Sequence, residues 1–146
     1  VTAAALNVNK KLLKDASQDG LWNWDVVEIF LASQGSQGKR ATYYEFQVSP
    51  LGQFFELEIF EPRKRVNPDF KSGIQVNAVI ESETPALWDA TLYIPLAPIG
   101  HKPGNEIIGN ICACLGTEKK REYYSAFLPP QERPDFHLPQ YFQKLI

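Results

Sequence analysis

Apolar and polar residues alternate along much of this chain with a period of two, the signature of half-buried β-strands rather than helices. Residues 43–48 set Tyr44, Phe46 and Val48 on one face, and Tyr43, Glu45 and Gln47 on the other. Residues 54–60 set Phe55, Leu57 and Ile59 against Glu56 and Glu58. Ser49-Pro50-Leu51-Gly52 lies between them and supplies turn chemistry, so 43–60 predicts a β-hairpin. Further strands are predicted over 26–31, 74–80, 88–95, 109–115 and 123–128, with Trp88, Ala90, Leu92 and Ile94 on one side of theirs. Helical content is slight. Residues 96–100 suit one turn ended by Gly100, and Pro139 suits the first position of another. Residues 7–16 fit either a short helix or an extended segment. Residues 34–38 read as a flexible loop tip, and 61–72 as a long exposed connection. The expected fold class is all-β, a jelly-roll-like antiparallel β-sandwich with one domain spanning 1–146.

Composition narrows the function. A chain of 146 residues, 44% hydrophobic and 22% charged, is large enough to bury a core. Fifteen basic and seventeen acidic residues leave a net charge of -2, with no basic stripe for a nucleic-acid partner. No apolar run approaches the roughly 20 residues of a membrane-spanning helix, so no membrane insertion is expected. Residues 1–13 lack the charged start and cleavage site of a signal peptide. Cys112 and Cys114 share a strand face, which suits buried thiols better than a disulfide framework or a metal site. No nucleophile elbow, P-loop, dinucleotide fingerprint or distinctive carboxylate pair is present, and the expectation is a protein that is not an enzyme.

The stretch 19–31 is the densest in candidate chemistry. Trp22 and Trp24, with Asp25 and Glu28, stand at the entrance to the strand 26–31. An aromatic-bearing loop that feeds a buried strand builds a binding site or plugs the end of a sandwich, and both readings stay open. Of two such close neighbours, Trp22 is the one expected to face a site. Trp88 is expected in the core. Asp25 and Glu28 suit sugar hydroxyls, a calcium ion or loop ordering through backbone amides. Asn110 and Arg121 are candidates for directional hydrogen bonds, and His137 for a structural bond or a ligand contact.

Four stretches together resemble the DOMON-like β-sandwiches related to family 9 carbohydrate-binding modules. They are Leu21-Trp22-Asn23-Trp24-Asp25-Val26-Val27-Glu28-Ile29-Phe30-Leu31, Tyr43-Tyr44-Glu45-Phe46-Gln47-Val48-Ser49-Pro50-Leu51-Gly52, residues 88–96, and Asp135-Phe136-His137-Leu138-Pro139-Gln140-Tyr141-Phe142. The resemblance implies a non-catalytic carbohydrate-binding module that stacks a sugar ring on Trp22. Trp24 or Tyr124 would assist, and Asn110, Arg121 or His137 would orient the ligand. Related modules carry a Ser-Trp step late in the chain, where this one has Tyr124-Ser125-Ala126-Phe127. The resemblance also implies an extracellular or periplasmic location. The alternative is a protein-interaction domain of the same fold with no small-molecule ligand. Haem-binding members of the group use Met and His, or two His, as axial ligands. This chain has no Met and two histidines, His101 and His137, which sets haem binding third. No cofactor is expected, calcium being the ion the carboxylates would suit.

Overall fold

A computed structural model describes residues 2–3, 5–12, 17, 19–33, 42–127 and 134–146. Among them run ten strands: β1 (Thr2–Ala3), β2 (Val26–Ser33), β3 (Tyr43–Val48), β4 (Phe54–Glu61), β5 (Arg65–Asn67), β6 (Gln75–Glu83), β7 (Ala86–Tyr93), β8 (Ile107–Leu115), β9 (Glu122–Ser125) and β10 (Gln143–Lys144). All their pairings are antiparallel. The smaller sheet has the order β1-β7-β6, and the larger β10-β8-β2-β3-β4-β5, with β9 also paired to β8. The fold is therefore an all-β sandwich. Helical structure among the described residues is confined to three 3-10 turns, including Pro139–Tyr141 with the proline at its start.

The hairpin read from alternation is β3–β4, in register from Tyr43 opposite Ile59 to Val48 opposite Phe54. Ser49 closes its turn by donating twice to Gln53, from its backbone N–H to the carbonyl oxygen at 2.9 Å and from its hydroxyl to Oε1 at 2.7 Å. Trp88 is fully buried, as its strand pattern predicts. Residues 7–12 are not helical, and 13–16 lie outside the described residues, as do the loop tip 34–38 and Leu128. The connection 61–72 differs from its sequence reading. It contains β5, a short charged edge strand that alternation alone does not mark. Glu56, buried on β4, ties the connection down by accepting from Ser72 N at 2.9 Å and Ser72 Oγ at 2.6 Å.

The larger sheet is covered on both faces, and this positions the site. On one face Leu31, Tyr44 and Phe46 pack with Leu92 of β7 and with Ile74, Ile94 and Ile99 of the connections. On the other, Phe30, Tyr43 and Ile59 pack with Phe136 and Phe142. That is why every residue of β3 is buried, polar positions included. β8 can lie close to β2 because Gly109 has no side chain. A Cβ there would stand 2.0 Å from the carbonyl oxygen of Phe30.

Candidate functional site

The Trp loop is shaped by a left-handed glycine and a buried leucine. Gly20, at φ 84°, turns the chain into the 3-10 turn Leu21–Asn23. Leu21 is fully buried with Val26, Phe55 and Cys114, which leaves its neighbour Trp22 pointing outward at 47% exposure. Arg121 then fastens the loop from outside. Its guanidinium donates to the carbonyl of Gly116 at 2.6 Å, to that of Trp22 at 2.6 Å, and to that of Trp24. Asp25, fully buried beneath, accepts from the backbone N–H of Asn7 at 2.9 Å and of Gly116 at 2.6 Å. It also lies 3.9 Å from Arg121. Asp25 thus orders the loop, the role that backbone amides give a buried carboxylate.

Trp22 stands on the rim of a cavity of about 450 Å³ over the second face of the larger sheet. The register of the strands sets its floor. Glu28 of β2 is opposite Gln47 of β3, and Phe30 is opposite Glu45, so both carboxylates and Gln47 share one face with Phe55 and Leu57 of β4. Glu45 accepts from Gln47 Nε2 at 2.5 Å, and Gln47 Oε1 has no hydrogen-bond partner among the described residues. Burial holds the Glu28 carboxyl far above its ordinary value of 4.5, with the charge of Glu45 adding to the rise and Arg121 opposing it. Burial raises Glu45 as well, against the Gln47 hydrogen bond and with the help of Asp19. Cys114, beside them, is pushed up to about 12 by burial, which removes thiolate character.

The residues 134–137 close one side. Tyr43 Oη and His137 Nδ1 are 3.0 Å apart, and His137 Nε2 lies 3.7 Å from a Glu45 oxygen. Burial, with Arg63 assisting, lowers the His137 pKa below 6.5, so the ring is neutral at physiological pH. At the mouth, Arg63 and Asp135 form an ion pair of 2.7 Å. Among the described residues, no three His, Cys, Asp or Glu side chains converge to hold a metal ion.

The structure brings some of the sequence candidates together and separates others. Trp22 and His137 line the cavity. Trp24 and Arg121 line a neighbouring groove of about 640 Å³, which Trp22 also borders. Arg121 is spent on backbone carbonyls and holds the loop rather than facing the cavity. Asn110 is fully buried, donates to Ser125 Oγ at 2.9 Å and lines neither concavity. Tyr124, 53% exposed and bonded to Glu122, faces the opposite side of the sheet from the cavity. The reason is strand parity. Tyr123 pairs with Cys114, which points into the cavity, and Tyr124 pairs with Ala113, which does not. Tyr123 is therefore the second aromatic of the rim, 48% exposed and in edge contact with Phe136. Sequence reasoning also passed over Glu45, Gln47 and Arg63. The alternation of Tyr43, Glu45 and Gln47 was the available signal, but it reads equally well as a solvent face.

No protein-family model matches the chain. It is 23% identical over 148 aligned positions to a protein of Arthroderma benhamiae called "Extracellular protein", the match taking in 88% of this chain. The chain spans 63% of the length of that relative. Its fold is similar to the crystal structure of a "putative carbohydrate-binding protein" from Bacteroides uniformis, with a TM-score of 0.75 and 18% identity. That likeness covers 99% of this chain and 68% of the other, and it is a likeness of fold.

Proposed function

We propose that this protein is a non-catalytic carbohydrate-binding module and that the sugar ring lies against Trp22 in the cavity over Glu28, Glu45 and Gln47. The observation that carries this reading is one juxtaposition: a half-exposed indole at the mouth of a cavity that sets the buried Glu28, Glu45 and Gln47 among apolar side chains. An aromatic face takes the apolar side of a sugar ring, while buried carboxylates and amides meet its hydroxyls. Tyr123 forms the opposing rim, and His137 sits within reach of an orienting contact. Tyr124, Asn110 and Arg121 support the sheet and the loop instead. The "putative carbohydrate-binding protein" of similar fold and the relative called "Extracellular protein" favour a secreted glycan-binding role. Affinity is expected to be modest, because sugar hydroxyls give up water before they bind.

The test is a tryptophan-fluorescence titration against mono- and oligosaccharides, with and without calcium, on the wild-type protein and on Trp22→Ala. Saturable quenching by one sugar class, lost in the variant, supports the reading. An unchanged isotherm in Trp22→Ala removes it.

A second reading, a protein-interaction domain, draws on a different surface. Ile111 of β8 and Tyr124 of β9 are 46% and 53% exposed on the face away from the cavity. A flat response to every sugar, together with a partner whose binding is lost in Ile111→Asp, would favour it.

A further inference from the structure

The floor of the cavity gathers two buried carboxyl groups and an unpartnered amide oxygen, and that bears on which sugar it takes. The inference rests on the reading of the cavity as a sugar site. Two carboxylates, Glu28 and Glu45, lie there at 5% and 4% exposure. Beside them Gln47, 1% exposed, spends its amide N–H on Glu45 and leaves Oε1 unpartnered among the described residues. A buried acceptor without a donor costs about 1–3 kcal/mol, so a ligand that supplies donors recovers that energy.

Among the described residues, Arg121 is the one cation whose charge acts on Glu28, and it is held elsewhere by direct contacts. Among the described residues, neither Glu28 nor Glu45 has an ion pair with a lysine or arginine. Arg63 is paired with Asp135 at 2.7 Å, and Arg121 is occupied by Asp25 and three carbonyls. Asp19 adds negative charge at the lining, while His137 faces Glu45 as a neutral ring. The remaining titratable neighbours, Tyr43, Cys112, Cys114 and Tyr123, carry no positive charge in any state. Trp22 and Tyr123 line the same cavity, and an aromatic face attracts a cation through its quadrupole.

We infer that the ligand is an amino sugar bearing a free, protonated amine, with its ammonium over Glu28, Glu45 and Gln47 and its ring against Trp22. An ammonium brings three donors and a positive charge, matching Gln47 Oε1 and two carboxyl groups that have no lysine or arginine ion pair among the described residues. A hydroxyl brings one donor and adds acceptors of its own. An N-acetyl group carries no charge and needs more room. The raised carboxylates of the empty site agree with this, since an ammonium would return them to their ionised form.

Isothermal titration calorimetry of the intact protein near neutral pH tests it with four probes: glucosamine, glucose, N-acetylglucosamine and cyclohexylamine. Glucosamine is expected to bind about tenfold or more tightly than each of the others. Glu45→Gln and Glu28→Gln should each erase that preference, read as the ratio of glucosamine to glucose affinity within the same variant. Equal affinities for glucose and glucosamine would overturn the inference and leave the sugar site standing. Cyclohexylamine binding as tightly as glucosamine would overturn the sugar ring's part in it. Silence with all four probes would remove both the inference and the reading beneath it.

Discussion

The Tyr43 hydroxyl meets His137 Nδ1 at 3.0 Å, across 94 positions of sequence. Burial raises the Tyr43 pKa well above its ordinary 10.0, so the phenol keeps its proton, and its O–H is expected to donate to Nδ1. That fixes the imidazole proton on Nε2, the nitrogen that faces Glu45 at 3.7 Å. Nitrogen-15 NMR of the histidines should find His137 as the neutral Nε2–H tautomer at pH 7. Tyr43→Phe should mix the tautomers and cost about 1 kcal/mol of stability by denaturant titration.

Trp22 and Trp88 should behave as opposites. Trp22 is half exposed, so Trp22→Ala should change stability by no more than about 0.5 kcal/mol. It should weaken sugar binding about tenfold or more. Trp88 is fully buried between the sheets, and Trp88→Ala should cost about 3–5 kcal/mol. Calorimetric binding beside chemical denaturation separates the two effects.

Arg121 is a clasp whose removal leaves several groups unmet. Arg121→Ala strands three backbone carbonyls and deprives the buried Asp25 of its cation. The expected loss is about 3 kcal/mol, with a loosened Trp22 visible as a lower fluorescence anisotropy. Arg121→Lys should recover little of it, since an ammonium lacks the planar fork that reaches three acceptors.

Stability should fall as pH rises through the neutral range. Glu28 and Glu45 have folded pKa values raised above the ordinary 4.5, so the folded protein keeps protons that the unfolded chain releases. Their contribution is full below about pH 4.5 and is lost as pH climbs through their folded values. His137 acts in the other direction. Its folded pKa lies below 6.5, so its contribution is present above that value and fades as pH falls. From pH 7 to about 8 the histidine is largely neutral in both states and the carboxylates dominate the slope; higher still, the buried thiols of Cys112 and Cys114, raised to about 12 by burial, add to the decline. The double variant Glu28→Gln, Glu45→Gln should flatten the decline in Tm between pH 7 and 9, measured by differential scanning calorimetry.

Much of the scaffold was legible because its residues obey one local rule. The alternation of 43–48 and 54–60 fixes a hairpin, Trp88 falls on the buried side of its strand, and Pro139 opens a 3-10 turn. The site was less legible because its burial comes from distant segments. Glu45 and Gln47 alternate like solvent-facing residues, and nothing nearby announces that 134–137 will cover them. The choice between Tyr123 and Tyr124 depends on the register of a four-residue strand against β8, which a two-residue period alone does not give. β5 was hidden because Arg65-Val66-Asn67 is too short and too polar to stand out from a loop.

The covering of the cavity by 134–142 has a consequence for biogenesis. The strands that carry Glu28, Glu45, Gln47 and Cys114 all precede it in the chain, so a polypeptide leaving the ribosome acquires its acidic floor before its cover. Until Phe136 and Phe142 arrive to pack on Phe30 and Tyr43, two carboxylates share an open apolar face with unpaired aromatics. Ligand competence is then among the last properties a nascent molecule gains, and pull-down on immobilised sugar would separate finished chains from arrested ones.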